Sequence, residues 1–91
     1  VAMKIMLLYK PHSEQARRTE GYIRDFNRFH PDAEIEVLDV DSREGAHLAS
    51  LYGAMEYPTV IAVKDDGQMQ QMWSGVDKLP LMNDLAYYAQ Q

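Results

Sequence analysis

Side chains able to catalyse a reaction or to bind a metal ion are sparse in this chain. Its 91 residues include no cysteine, which excludes disulfides, thiolate metal ligands and thiol nucleophiles together. The histidines lack the three- or four-residue spacing that places two ligands on one helix face: His12, His30 and His47. We therefore expect solvated or capping imidazoles, no metal site, no cofactor and no catalytic residue.

The most informative segment is a proline at the start of a short apolar run, Tyr57-Pro58-Thr59-Val60-Ile61-Ala62-Val63. Proline cannot donate a hydrogen bond to a sheet, so it belongs at the first position of a strand. An X-Pro bond at such a turn can adopt the cis form. The segment therefore predicts a strand that the chain enters through a cis Tyr57–Pro58 bond.

The composition is that of a small acidic globular protein. Apolar residues make up 46% of the chain and charged residues 25%, with a formal net charge of −5. These values predict one domain over residues 1–91. The nine lysines and arginines are scattered rather than clustered, which predicts no nucleic-acid partner. No run approaches the roughly 18 apolar residues of a membrane span, so we expect no membrane partner and a cytoplasmic location.

The first part of the chain predicts a strand, a helix and a second strand. Lys4 to Tyr9 is almost continuously apolar, as in a strand buried on both faces. Ser13 offers an N-cap hydroxyl and Glu14 a first-turn carboxylate for the helix, in which Gly21 indicates close packing on the sheet. The second strand runs from Glu34 to Val40. The apolar stripe of the helix comprises Ala16, Thr19, Tyr22, Ile23, Phe26 and Phe29.

A capping pattern predicts the second helix. Asp41, followed three residues later by Glu44, resembles a capping box, and Gly53 ends the helix after Tyr52. The predicted buried face of this helix comprises Ala46, Leu48, Ala49, Leu51 and Tyr52.

The remaining residues predict a hairpin and a final helix. The turn Asp65-Asp66-Gly67 joins a strand from Thr59 to Lys64 to a strand from Gln68 to Trp73. After a break at Gly75, the last helix is expected from Lys78 to Gln90. Asp77 can cap this helix and Pro80 falls in its first turn, with the inward face formed by Leu79, Met82, Leu85, Ala86 and Ala89.

The element order is β-α-β-α-β-β-α, which indicates an α/β fold. Right-handed crossovers predict that the first three strands run parallel and that only the last hairpin strand runs antiparallel. We expect a four-stranded mixed sheet with the first and third helices on one face and the second helix on the other.

The region from Lys4 to Gln90 resembles the thioredoxin and glutaredoxin superfamily. The resemblance is carried by an ordered series of short motifs: Leu51-Tyr52-Gly53, Tyr57-Pro58-Thr59, Lys64-Asp65-Asp66-Gly67 and Gly75. It implies a thioredoxin-like fold. Where that family has Cys-x-x-Cys at the start of the first helix, this chain has Ser13-Glu14-Gln15-Ala16. The resemblance therefore implies a redox-inactive member that is not an oxidoreductase.

The resemblance also implies where a ligand would bind. In this fold the start of the first helix and the loops around the proline and after the fourth strand converge on one edge. There an extended peptide or protein segment would bind by strand addition, and an inherited surface without a ligand is the alternative. The expected groove residues are His12, Ser13, Glu14, Glu56, Tyr57, Pro58, Trp73, Ser74 and Gly75, with the face of Trp73 left open.

Two further resemblances leave alternatives open. Ser13 could polarise a glutathione thiol as in serine-type glutathione transferases, and Gly75-Val76-Asp77 is similar to the glutaredoxin segment that holds glutathione. These features imply a glutathione-binding or glutathione-using domain. Three segments resemble segments of the KaiB family, which implies a regulatory adaptor: His12-Ser13-Glu14-Gln15-Ala16, Val37-Leu38-Asp39-Val40 and Tyr57-Pro58-Thr59. Weak homo-oligomerisation is compatible with each of these interpretations.

Overall fold

The fold is built around an apolar strand, β1 (Lys4–Tyr9), which is buried from Ile5 to Leu8. The computed structural model describes residues 3–89, so the predicted helix end at Gln90 lies outside the described residues. No helix within 3–89 has the length and apolarity needed to cross a bilayer. The later elements are α1 (Ala16–Phe29), β2 (Ile35–Asp39), α2 (Arg43–Tyr52), β3 (Thr59–Val63), β4 (Met69–Ser74), a 3-10 turn (Val76–Lys78) and α3 (Met82–Ala89).

The four strands form one mixed sheet in the order β2-β1-β3-β4. Strand β1 is parallel to β2, with Leu7 beside Val37, and antiparallel to β3, with Leu7 beside Val60. Strand β4 is antiparallel to β3. The predicted α/β class and four-stranded mixed sheet are confirmed. The prediction that the third strand runs parallel to the first is wrong.

The direction of β3 follows from the path of α2. This helix begins beside the carboxyl end of β1, where the Val40 N–H donates to the Tyr9 carbonyl at 3.1 Å. It ends near the β3–β4 turn at the opposite end of the sheet, where the Tyr52 hydroxyl donates to the Gly67 carbonyl at 2.8 Å. Residues 53–58 then return along the sheet, so that Thr59 pairs with Leu8. The crossover rule for parallel strands therefore does not apply to this connection.

Helices cover both faces of the sheet in the predicted arrangement. Alternate residues of β1 and β3 point to opposite faces, so each strand supplies two cores. The face under α1 and α3 contains Ile5, Leu7, Phe26, Val60, Ala62, Leu85 and Ala86. The face under α2 contains Met6, Leu8, Val40, Ala49, Ala54, Ile61 and Val63.

Helix α1 begins later than predicted, because Ser13 is not its N-cap. The Ser13 hydroxyl donates to the Lys10 carbonyl at 2.8 Å, and the Ser13 N–H donates to the same oxygen at 3.1 Å. These bonds close a turn that precedes the helix. Gln15 occupies the N-cap position without a side-chain hydrogen bond, and the first helical residue is Ala16.

The start of α2 also differs from the prediction. Ser42, not Asp41, is the N-cap, and its hydroxyl accepts the Gly45 N–H at 3.0 Å. Gly45 is buried, and a Cβ atom placed on it would overlap the Asp39 carbonyl oxygen. Helix α2 therefore approaches the sheet along Gly45 and Ala49, which lie one turn apart on one face.

Several residues predicted to be buried or closely packed are not. The packing of α2 along its glycine turns Ala46 and Leu51 toward solvent. Phe29, the last residue of α1, is 65% exposed because it lies beyond the sheet-facing turns of the helix. Gly21 is also not a close-packing site, since the nearest atom to a Cβ there would be in the flexible Arg24 side chain at 3.7 Å.

The last helix is shorter than predicted because Pro80 precedes it. Leu79 is extended, with φ −61° and ψ 140°, as expected for a residue before proline. The segment is thus divided into the 3-10 turn and α3, which begins at Met82. The buried Pro80 carbonyl accepts a 2.7 Å hydrogen bond from the Tyr22 hydroxyl, which ties α1 to the start of α3.

We predict opposite effects of alanine at the two helical glycines. Gly45→Ala should lower the free energy of unfolding by about 1–3 kcal/mol, because the new methyl group forces α2 away from Asp39. Gly21→Ala should raise it by about 0.5–1 kcal/mol through higher helix propensity at an uncrowded site. Urea unfolding of both variants measures these changes, and equal effects would contradict the proposed packing of α2.

We also predict a contribution of Tyr22 to the pH dependence of stability. Burial raises the pKa of this phenol to about 12 from its usual 10.0, and the Asp84 carboxylate adds to the shift. Since folding favours the protonated phenol, its contribution is fully present below about pH 10 and is lost as the pH rises toward 12.

The measurement for Tyr22 is urea unfolding as a function of pH. Tyr22→Phe should lower the free energy of unfolding by about 1 kcal/mol at neutral pH and make its decline above pH 10 shallower. Tyr87→Phe is the matched control, because Tyr87 is 64% exposed. If both variants keep the wild-type slope, burial of Tyr22 does not contribute to the alkaline loss of stability.

Candidate functional site

The loop before β3 and the chain after β4 enclose an open depression of about 390 Å³. Three segments meet there: the start of α1, the loop before the β3 proline and the turn that follows β4. Such a convergence is what the thioredoxin resemblance implied. The depression, called the groove below, is lined by Gln15, Glu56, Tyr57, Ser74, Gly75, Val76, Asp77 and Lys78.

The groove is held in shape by hydrogen bonds between the β3 entrance and the end of β4. The Pro58 carbonyl accepts the Gly75 N–H at 2.9 Å. The hydroxyl of the fully buried Thr59 donates to the Glu56 carbonyl and lies 3.4 Å from the Ser74 hydroxyl. The Tyr57–Pro58 peptide bond is cis, and Pro58 is buried beneath the loop. The hydrogen bonds of Pro58 and Thr59 therefore tie the loop that carries Tyr57 to the end of β4.

Tyr57 offers both an aromatic ring and free backbone groups to the groove. The Tyr57 hydroxyl lies 3.5 Å from the Ala54 carbonyl, and the Lys10 ammonium lies 5.9 Å from the ring centre. Within residues 3–89, the backbone N–H and C=O of Tyr57 form no hydrogen bond. Because Tyr57 is only two residues before β3, these groups lie where the ladder of the sheet would continue.

Charges of both signs surround the groove. The Glu56 carboxylate lies over Gly75, where a Cβ atom would come within 2.9 Å of Glu56 Oε2. Asp77 lies 3.6 Å from Arg18, but both side chains are largely exposed, so this ion pair contributes little to stability. Lys78 adds a positive charge to the same rim. With Arg18 included, the rim of the groove therefore carries no excess of a single sign of charge.

The structure brings together only part of the predicted site. Glu56, Tyr57, Ser74 and Gly75 line the groove, and Pro58 lies beneath it. The residues that precede α1 do not belong to the wall: His12, Ser13 and Glu14. They lie in the turn closed by Ser13, which leaves Gln15 as the nearest residue of that segment.

Trp73 does not line the groove either. It pairs with Val60 and packs on the face covered by α1 and α3. Its ring meets that of Tyr88 edge to face, with ring centres 5.6 Å apart. Strand alternation then turns the preceding residue, Met72, toward the α2 face.

Four residues of the groove wall were absent from the predicted site: Gln15, Val76, Asp77 and Lys78. The last three form the 3-10 turn, which folds back after Gly75 toward Glu56. The similarity of Gly75-Val76-Asp77 to a glutathione-binding segment was the available signal for this turn. Nothing in the local sequence around Gln15 distinguishes it from a solvated residue before a helix.

Other groups with chemical potential lie apart from one another. The Ser13 hydroxyl proton is directed at the Lys10 carbonyl rather than at the groove. Within residues 3–89, no three histidine, aspartate or glutamate side chains are close enough to hold a metal ion together. The groups that line the groove are backbone, aromatic and charged groups.

Neither a protein-family model nor a curated protein matches the chain in sequence. Its structure is similar to that of mitochondrial thioredoxin 3 from Saccharomyces cerevisiae, with 18% identity and a TM-score of 0.70 over 97% of this chain and 76% of that one. Fasciola hepatica thioredoxin gives 20% identity and a TM-score of 0.70, over 94% and 76% of the two chains. Deadhead, a germline-specific thioredoxin of Drosophila melanogaster, gives 16% identity and a TM-score of 0.70, over 94% of this chain and 76% of that one. The chain therefore has a thioredoxin-like fold that contains no cysteine.

Proposed function

We propose that this chain is a non-catalytic thioredoxin-fold module that binds an extended segment of a peptide or protein in the groove. The observation that carries the proposal is the free N–H and C=O of Tyr57, which lie beside the open depression within the described residues. An extended segment satisfies such a pair with two backbone hydrogen bonds, as in other cases of strand addition.

The side chains around this backbone pair would select the bound segment. The Tyr57 ring and the Val76 side chain provide apolar contact, while Glu56 and Lys78 provide opposite charges on the rim. In an extended peptide successive side chains point to opposite sides, so only alternate residues would contact the groove. We therefore expect selectivity for a short motif in which an apolar and a polar residue lie two positions apart.

The non-catalytic part of the proposal rests on the chemistry that the residues allow. Thiol–disulfide exchange requires a thiolate, and the chain has no cysteine to supply one. A glutathione-activating role would require the Ser13 hydroxyl to donate toward a sulfur, whereas this hydroxyl donates to the Lys10 carbonyl. These features favour binding over catalysis at the same edge of the fold.

We predict that binding depends on Tyr57 and not on the exposed face of α1. A ligand can be obtained by selecting a peptide from a displayed random library on the immobilised protein. Tyr57→Ala should weaken that peptide by about tenfold or more, because a buried aromatic anchor commonly contributes about 2 kcal/mol. Arg24→Ala is the control, since Arg24 is exposed on α1 and outside the groove.

Calorimetry of the two folded variants gives these affinities, and amide shifts in a nuclear magnetic resonance titration locate the contact. The backbone N–H of Tyr57 should shift strongly on binding. N-methylation of the peptide amide opposite the Tyr57 carbonyl should reduce affinity. If Arg24→Ala abolishes binding while Tyr57→Ala does not, the helix surface is the site and the groove proposal is wrong.

We also predict no disulfide reductase activity. With dithiothreitol as the electron source, the protein should not accelerate insulin reduction above the rate without protein, because no thiolate is present to attack a disulfide. A thioredoxin serves as the positive control. Turnover would overturn this part of the proposal if it copurifies with the protein and persists after the protein has been reduced, treated with a thiol-blocking reagent and freed of excess reagent.

A further inference from the structure

The outer edge of β2 carries unpaired backbone groups. The Val40 N–H donates to the Tyr9 carbonyl of β1, and backbone direction alternates along a strand. Residues 36, 38 and 40 therefore face β1, while Ile35, Val37 and Asp39 direct their N–H groups away from the sheet. Within residues 3–89 no further strand lies beyond β2. The Asp39 carbonyl already accepts hydrogen bonds from Ser42, whereas the carbonyls of Ile35 and Val37 accept none within residues 3–89.

The opposite edge of the sheet is blunted, whereas the β2 edge is regular. The pairing of β3 with β4 shifts register between Ala62 and Val63, which marks a bulge, and the Gln71 side chain accepts the Met72 N–H at 3.1 Å. Bulges and side chains that occupy edge amides are common ways of preventing strand addition. Strand β2 keeps an unbroken register with β1 from Ile35 to Asp39.

The side chains of β2 favour pairing with an identical strand. In an antiparallel pair centred on Val37, each Val37 faces the Val37 of the second copy, and Ile35 faces Asp39. Glu36 faces Leu38, so no two carboxylates lie opposite one another. Lys4 also lies 2.8 Å from the Glu36 carboxylate and offsets its charge. Val37 is 40% exposed in the single chain and would be covered by its counterpart.

Neighbouring registers are less favourable. Moving the centre to Glu36 places two Glu36 carboxylates directly opposite, which destabilises a strand pair. If the pair is centred on Leu38, Val37 faces Asp39 and Ile35 has no partner within β2, so fewer outward-facing residues are paired. If the centre of the pair lies between two residues, backbone groups that point outward lie opposite groups that point toward β1. No hydrogen-bonded ladder can form in that register.

We propose that two copies of this chain associate through β2, antiparallel about Val37, to form one continuous sheet. The two Val37 residues exchange a pair of N–H to C=O hydrogen bonds, and each Asp39 N–H donates to the Ile35 carbonyl of the second copy. The interface lies at the sheet edge farthest from β4, so both grooves remain open. The inference therefore stands independently of what the grooves bind.

The net charge gives the association a defined response to salt. Each copy carries a formal charge of −5, so the two copies repel one another at long range. Salt screens this repulsion. Dimerisation should therefore strengthen as the salt concentration rises, opposite to an interface held by attraction between unlike charges.

The test is sedimentation equilibrium of the full chain from micromolar to millimolar concentrations. Wild-type protein should form a dimer that dissociates on dilution. Val37→Lys and Val37→Glu should each raise the dissociation constant by about tenfold or more, because like charges then face one another across the two-fold axis. Gln70→Lys, at an exposed position of β4, is the matched control and should leave dimerisation unchanged.

Mixing the two variants provides the decisive measurement. The Val37→Lys and Val37→Glu chains should each be monomeric alone but should form a mixed dimer with one another. This result is expected from a register that places residue 37 opposite its own copy, because the lysine then faces the glutamate. Circular dichroism checks that both variants are folded. Should either fail to fold, amide exchange of wild-type Val37 replaces it: this N–H should be protected in concentrated and exposed in dilute solution. A monomer at millimolar concentration, a dimer insensitive to both variants, or no mixed dimer would overturn the proposal.

Discussion

Strands β1 and β3 are buried on both faces, and the positions of the helices, loops and sheet edges follow from this burial. All residues of β3 and those from Ile5 to Leu8 in β1 are buried. Fully burying a large aliphatic side chain contributes about 1.5–3 kcal/mol, so neither face of this strand pair can remain in water. Helices must therefore cover both faces, as α1 and α3 do on one side and α2 on the other.

This arrangement leaves strand ends and outer edges as the places where backbone groups meet solvent. At the entrance to β3, the last hydrogen bond to the chain after β4 is made by Pro58. Tyr57, which precedes Pro58 in the chain, has both backbone groups free within the described residues. The contacts of Thr59 and Gly75 keep that loop in a fixed position. The recognition site that we propose would therefore arise from the end of a buried strand and would require no reactive side chain.

The two outer edges of the sheet differ in ways that matter for association. Strand β4 carries a bulge, and the Gln71 side chain covers one of its amides, so it resists strand addition. Strand β2 is regular and ends in a turn in which Asp39 and Ser42 are bound to one another. The groove and the β2 edge lie at separate positions of the sheet. The proposed peptide binding and the proposed dimerisation would therefore use different surfaces.

Local periodicity and residue type predicted the elements, the buried strands and the hairpin turn, and the lack of cysteine excluded thiol chemistry. The convergence of the loops around Tyr57 and Gly75 was implied by the resemblance to thioredoxins. The direction of β3, the face of Trp73 and the turn that directs Ser13 away from the groove became visible only in the folded chain. The Ser13 turn is a local alternative to an N-cap, closed by the Lys10 carbonyl three residues earlier, and residue type alone does not choose between the two. The other two features depend on partners distant in sequence: Tyr52 meets Gly67 and Trp73 meets Tyr88. Local sequence preferences do not reveal such distant partners, because these contacts form only when the helices pack on the two faces of the sheet.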